Sequence, residues 1–113
     1  MHEPRVELSD VERAHLIQGL LHWGGPAHPS DSFAQRIGYP SADRLRVRAR
    51  ELRQVLREKD FLPVDVVTEM IALATFNIHD EDNGTGHIEW PIVAGFDVDE
   101  STQVLRELWE RTR

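Results

Sequence analysis

After the break at Phe61-Leu62-Pro63, apolar residues at Val66, Val67, Met70, Ile71, Leu73, Ala74 and Phe76 cover most of a helix's circumference. A helix apolar on so many sides belongs at the centre of a fold, with the remaining elements packed around it. Its β-branched content would also suit a strand, but the length of the run decides for a helix. Pro63 fits the first helical position, where a missing backbone N–H costs nothing.

The flanking segments read as the amphipathic partners this centre needs. Ser9-Asp10-Val11-Glu12 has the form of a capping box, and Ala14, Ile17, Leu20 and Leu21 follow at helical spacing. Trp23-Gly24-Gly25-Pro26 then stops that helix near Trp23. Phe33, Ala34 and Ile37 mark a short helix closed by Gly38 and Pro40, and Ser41 can cap the next. In that one Leu45, Ala49, Leu52 and Leu56 form an apolar stripe, with arginines on the other faces out to about Glu58. Asp80 to Gly86 is a polar turn, and the weak alternation from His87 to Val93 predicts a short strand or extended segment, kept from the centre of a sheet by Pro91. Asp97-Val98-Asp99-Glu100 offers a second capping box, with Val98, Leu105, Leu108 and Trp109 as the buried stripe of a last helix. The expected fold is mainly α, a compact bundle of four to five helices forming one domain over residues 1–113, with the extended segment near 87–93.

Charge is segregated along the chain. The net charge is −7, yet the stretch Asp43 to Asp60 has seven basic against four acidic residues, a local +3, which leaves −10 on the remainder. No apolar run approaches the roughly 20 residues that span a bilayer, and Met1-His2-Glu3-Pro4 lacks the basic start and apolar stretch of an export signal. The absence of cysteine rules out disulfides, thiolate metal sites and cysteine nucleophiles. A cytoplasmic chain without membrane contact is the expectation.

Arg44, Arg46, Arg48, Arg50, Arg53 and Arg57 are the candidate binding residues for a partner. From Phe33 to Leu45 the chain reads Phe-Ala-Gln-Arg-Ile-Gly-Tyr-Pro-Ser-Ala-Asp-Arg-Leu, with a small residue, a glycine four later and an apolar residue beyond, as a helix-turn-helix requires. Over residues 33–49 this resembles the second helix-turn-helix of AraC-type regulators. The resemblance implies a helix from Ala42 that enters a major groove with Arg44, Arg46, Arg48 and Arg50 toward base edges or phosphates. Against it stands the acidic remainder, and arginines on a solvated helix face commonly pair with acids of neighbouring helices.

Two other groups are candidates. Trp23, at a helix end, and Trp90, beside Pro91, are candidate hot spots of an interaction surface, whereas Trp109 lies on an apolar stripe and is expected in the core. His79, Asp80, Asp82, His87 and Glu89 surround a glycine-containing turn and carry metal-ligand chemistry, but an EF-hand begun at Asp80 would need its glycine at Thr85 and its bidentate glutamate at Pro91. No metal or other cofactor is therefore assigned. His15 and His22 lie seven apart on the first helix, and no nucleophile elbow, Walker loop or dinucleotide fingerprint occurs, so no catalytic residue is assigned and catalysis is not expected.

The run Leu21-His22-Trp23-Gly24-Gly25-Pro26 with Phe33-Ala34 and Gly38-Tyr39, joined by Gly84-Thr85-Gly86-His87-Ile88-Glu89-Trp90 and Gly95-Phe96-Asp97, resembles a family of small uncharacterised bacterial proteins with no assigned function. That resemblance implies no activity. The leading expectation is a non-enzymatic protein-interaction or regulatory module that binds another protein or itself as a homo-oligomer. A small helix-turn-helix regulator bound to nucleic acid is the alternative, and a metal-stabilised domain the second.

Overall fold

A computed structural model describes residues 5–113; Met1 to Pro4, read above for an export signal, lie outside the described residues. The apolar run forms helix α4 (Val64–His79), which buries Val67, Met70, Leu73, Ala74 and Ile78 and packs against its neighbours on several sides. Those neighbours are α1 (Asp10–Leu21), α3 (Ala42–Glu58), α5 (Gly86–Ala94) and α6 (Val98–Thr112). A short α2 (Asp31–Arg36) packs on α3, giving six α-helices among the described residues. No helix is long and apolar enough to cross a membrane among the described residues.

Local signals explain where most helices begin and stop. Ser9 and Glu12 form the expected capping box of α1 through reciprocal bonds of 3.1 and 2.9 Å. The helix closes with a 3-10 turn at His22–Gly24, which swings Trp23 into the core. Ser30 and Ser41 cap α2 and α3. Between these two helices Gly38 takes φ +102°, a conformation that favours glycine, and Asp31 accepts a hydrogen bond from the Ala42 N–H at 2.8 Å. At the far end of α3, Arg13 of α1 donates to the carbonyls of Leu56 and Asp60, satisfying acceptors that the helix end leaves free.

Four expectations are corrected. The segment 87–93 is not extended: it is helix α5, with Pro91 inside it and Gly95 at φ +79° closing it, because burial of Trp90 against the bundle outweighs the one backbone bond that proline removes. The short extended pairing lies elsewhere, as strand β1 (Arg5–Glu7) antiparallel to β2 (Phe61–Pro63) with Val6 opposite Leu62. Pro63 thus ends β2 and stands at the N-cap of α4, one residue before the helix. The second capping box does not form, since Asp97 sits at the N-cap of α6 without a side-chain cap bond.

Trp109 is the fourth correction. The buried line of α6 runs through Ser101, Leu105 and Leu108, and the next residue lies 100° further round the helix, so Trp109 remains 42% exposed.

The tightest junction joins α1 to α4. Gly19 lies against Ala74 so closely that a Cβ at position 19 would come 2.4 Å from the Ala74 Cβ and 2.8 Å from its Cα. Beside it the fully buried Asn77 donates from Nδ2 to the Gly19 carbonyl at 2.9 Å and accepts from the Thr85 N–H at its Oδ1 at 3.0 Å. Helix propensity alone would make Gly19→Ala stabilising by about 1 kcal/mol. Overpacking costs about 1–3 kcal/mol, and here the clash involves backbone, so the variant is expected to be the less stable protein in urea denaturation.

Candidate functional site

The arginines of α3 do not act as one face. Viewed down the helix at 100° per residue, Arg46, Arg50, Arg53 and Arg57 fall within a narrow stripe, while Arg44 and Arg48 lie on the opposite flank of the buried line. Arg48 is committed to the fold: its Nε and Nη2 donate to Glu69 of α4 at 3.0 and 2.8 Å, and the Tyr39 hydroxyl donates to the same carboxylate at 2.7 Å. The Arg48 bond holds the Glu69 carboxyl below its ordinary range. Arg46 pairs only with the exposed Asp43, while Arg44, Arg50, Arg53 and Arg57 make no ion pair among the described residues. Internal pairing with neighbouring acids therefore accounts for Arg48 and not for the stripe.

Trp23 and Trp90 are both fully buried, which corrects their reading as surface hot spots. Trp23 donates its indole N–H to the Leu73 carbonyl at 3.1 Å and stacks near Phe33. Trp90 donates to the Ser101 hydroxyl at 2.9 Å. Indoles at such positions fill volume and close polar accounts inside the bundle.

Around Ser101 the structure gathers a group that no sequence motif announces. Its Oγ lies 2.9 Å from His15 Nδ1, and His15 Nε2 lies 3.6 Å from a Glu100 carboxylate oxygen. With Trp90 donating to Ser101, the arrangement that satisfies every group has Ser101 donating to Nδ1 and the imidazole hydrogen on Nε2, because a bare Nε2 would face the carboxylate. The order serine, histidine, glutamate resembles a hydrolytic triad. Ser101 is 0% and His15 1% exposed, however, and Phe96 stacks over the ring at 3.8 Å, so no substrate reaches the hydroxyl. The group closes polar valences where α1, α5 and α6 meet.

The proposed metal cluster separates into its parts. His79 Nδ1 and His87 Nε2 meet at 2.7 Å, both on exposed residues. Asp80 instead organises its own turn, accepting from the Asp82 N–H at 3.0 Å and the Asn83 N–H at 2.8 Å. Asp82 and Glu89 are exposed, and no group of three or more potential metal ligands forms among the described residues.

A concave surface lies between α4 and α6, and the sequence reading missed it. Thr68, Ile71, Ala72, Thr75, Phe76 and His79 run along one flank of α4 at helical spacing, facing Thr102, Leu105, Arg106 and Trp109 of α6. Between them is an open groove of about 510 Å³, and its α4 wall runs from Thr68 to His79, about 16 Å. Phe76 and Trp109 are 38% and 42% exposed at its walls, an amount of aromatic surface that a packed core would have covered. His79 closes one end, held by Thr102 at 3.2 Å, with the acidic turn Asp80-Glu81-Asp82 directly after it. Burial and the neighbouring His87 keep the His79 imidazole below its ordinary pKa, so near neutral pH Arg106 is the one charged side chain lining the groove. The signal that could have revealed this groove was the breadth of the α4 apolar surface, which exceeds what the other helices cover.

No protein-family model, curated protein or solved structure matches the chain.

Burial of the histidines has a consequence for stability. Desolvation lowers the pKa of both His15 and His22 in the fold, against the opposing pull of Glu100 and Glu89 respectively. Unfolding therefore takes up protons once the pH falls to the ordinary histidine range near 6.5, and stability declines as pH drops through it. Urea denaturation is expected to give a lower unfolding free energy at pH 5.5 than at pH 7.5, with a shallower dependence in His15→Gln. A slope unaltered by that substitution would show that His15 does not contribute.

Proposed function

We propose that this chain is a non-enzymatic protein-binding module, and that the groove between α4 and α6 receives an amphipathic helix from its partner. The groove itself carries the reading: two helical flanks present apolar and aromatic side chains along three turns, the shape into which a third helix packs. Residues of a partner helix at positions i, i+3 or i+4, and i+7 would fill the space between Ile71, Phe76 and Trp109. Exposed ion pairs contribute at most about 1 kcal/mol each, so apolar burial would supply affinity and charge would set direction. The acidic turn after His79 suits basic residues at one end of that helix, and Arg106 suits an acidic residue further along.

Selection from a displayed library of helix-forming peptides tests this reading. Binders are expected to carry the spaced apolar anchors and to lose at least tenfold in affinity to Ala72→Arg, which fills the groove from an exposed position, and to Trp109→Ala. Both variants should melt within a few degrees of the parent. Peptides that bind the Ala72→Arg protein undiminished, or a selection that yields no binder, would sink the proposal.

The stripe on α3, in which Arg50, Arg53 and Arg57 make no ion pair among the described residues, favours a second reading, in which the chain binds the phosphate backbone of a nucleic acid. On that reading a generic duplex binds at low salt, added salt weakens it steeply, and Arg50→Ala with Arg57→Ala reduces both the affinity and the salt slope. Absence of binding in the micromolar range at low salt removes it.

A further inference from the structure

His79 and His87 stand eight residues apart in sequence, yet the turn between them brings their ring nitrogens to 2.7 Å with the ring planes at 78°. The turn is built to hold that distance. Thr85 donates its N–H and its hydroxyl to the Asn77 carbonyl at 2.8 and 3.0 Å, which ties the start of α5 to the last turns of α4. The His87 N–H donates to Glu81 at 3.1 Å, and Gly86 takes φ +75° where a Cβ would come 2.1 Å from a Glu81 oxygen. On the other ring, His79 Nε2 meets the Thr102 hydroxyl at 3.2 Å, the type of outer contact that orients a metal-bound imidazole.

We propose that His79 Nδ1 and His87 Nε2 form a two-imidazole site for a divalent transition-metal ion of right-angle coordination preference, copper(II) foremost. One hydrogen now lies between the two nitrogens. When the ion takes its place, the donor ring moves that hydrogen to its other nitrogen, so both rings stay neutral and both inner lone pairs face the metal. The remaining positions are filled by water, since both residues are exposed.

Distance selects among metals. With metal–nitrogen bonds of about 2.0–2.1 Å, a tetrahedral zinc ion needs its two nitrogens about 3.3 Å apart. A square-planar ion with the nitrogens at a right angle needs about 2.9 Å. From the present 2.7 Å the second geometry needs the smaller increase in separation, with each ring turning by roughly 45° to aim its lone pair at the ion, and copper(II) also leads the general affinity order for nitrogen ligands.

The test is a titration of the full chain with copper(II) chloride, followed by electron paramagnetic resonance and by isothermal calorimetry, with zinc chloride in parallel. The expected result is one saturable copper site with two imidazole nitrogens in its spectrum, weakened at least tenfold in His79→Ala and in His87→Ala. Thr102→Val should weaken it less, and zinc should bind the parent protein less tightly than copper. The exposed histidine variants should keep the parent's melting temperature in the absence of metal. Copper affinity undiminished in either histidine variant, or no saturable site in the parent, overturns the proposal, and zinc binding as tight as copper overturns the right-angle geometry.

Discussion

The close approach of α1 to α4 is the constraint on which the other contacts depend. With Gly19 against Ala74, the two helix backbones meet with only the Ala74 methyl between them, and Asn77 spends its buried amide on the Gly19 carbonyl and the Thr85 N–H. That single side chain fixes the depth of α1, the end of α4 and the path into α5. From there α5 delivers Trp90 to Ser101, and α1 delivers His15 to the same hydroxyl. An unpaired amide at this position would cost about 1–3 kcal/mol, comparable to the loss of a well-packed core side chain, so packing and polar satisfaction are hard to separate here.

The legible part of this fold was the part governed by local rules. Ser9 with Glu12, Ser30 and Ser41 begin helices through contacts within one turn, and the stripe Leu45, Ala49, Leu52 and Leu56 buries as its spacing requires. The centrality of α4 followed from its circumference. What local rules do not contain is which flank of a helix another element will cover. Trp109 and Trp90 exchange their expected places for this reason: α6 is rotated so that Ser101 faces inward to meet Trp90 and His15, and the rotation carries Trp109 out to the groove wall. The helical state of 87–93 has the same origin, since its pattern was weak and Trp90's burial decided it.

The candidate sites were legible to a lesser degree. Sequence spacing assembled His79, Asp80, Asp82, His87 and Glu89 because they are near in the chain, whereas the turn sorts them by direction and brings only the two imidazoles together. The arginines of α3 divide similarly, because Glu69 lies on the one flank of α3 that Arg48 faces. Of the groove only the broad apolar surface of α4 was legible, since its second wall comes from a helix far away in sequence and its opening from an absence of cover over both.

The distribution of the three indoles gives the protein an internal optical division. Trp23 and Trp90 are sealed inside the bundle and hydrogen-bonded, so their emission is expected toward the blue and shielded from dissolved quenchers. Trp109 stands at the groove wall in contact with solvent and emits further to the red. One spectrum of the unlabelled chain therefore carries two records: its blue component follows the integrity of the bundle, and its quenchable red component follows whatever enters the groove.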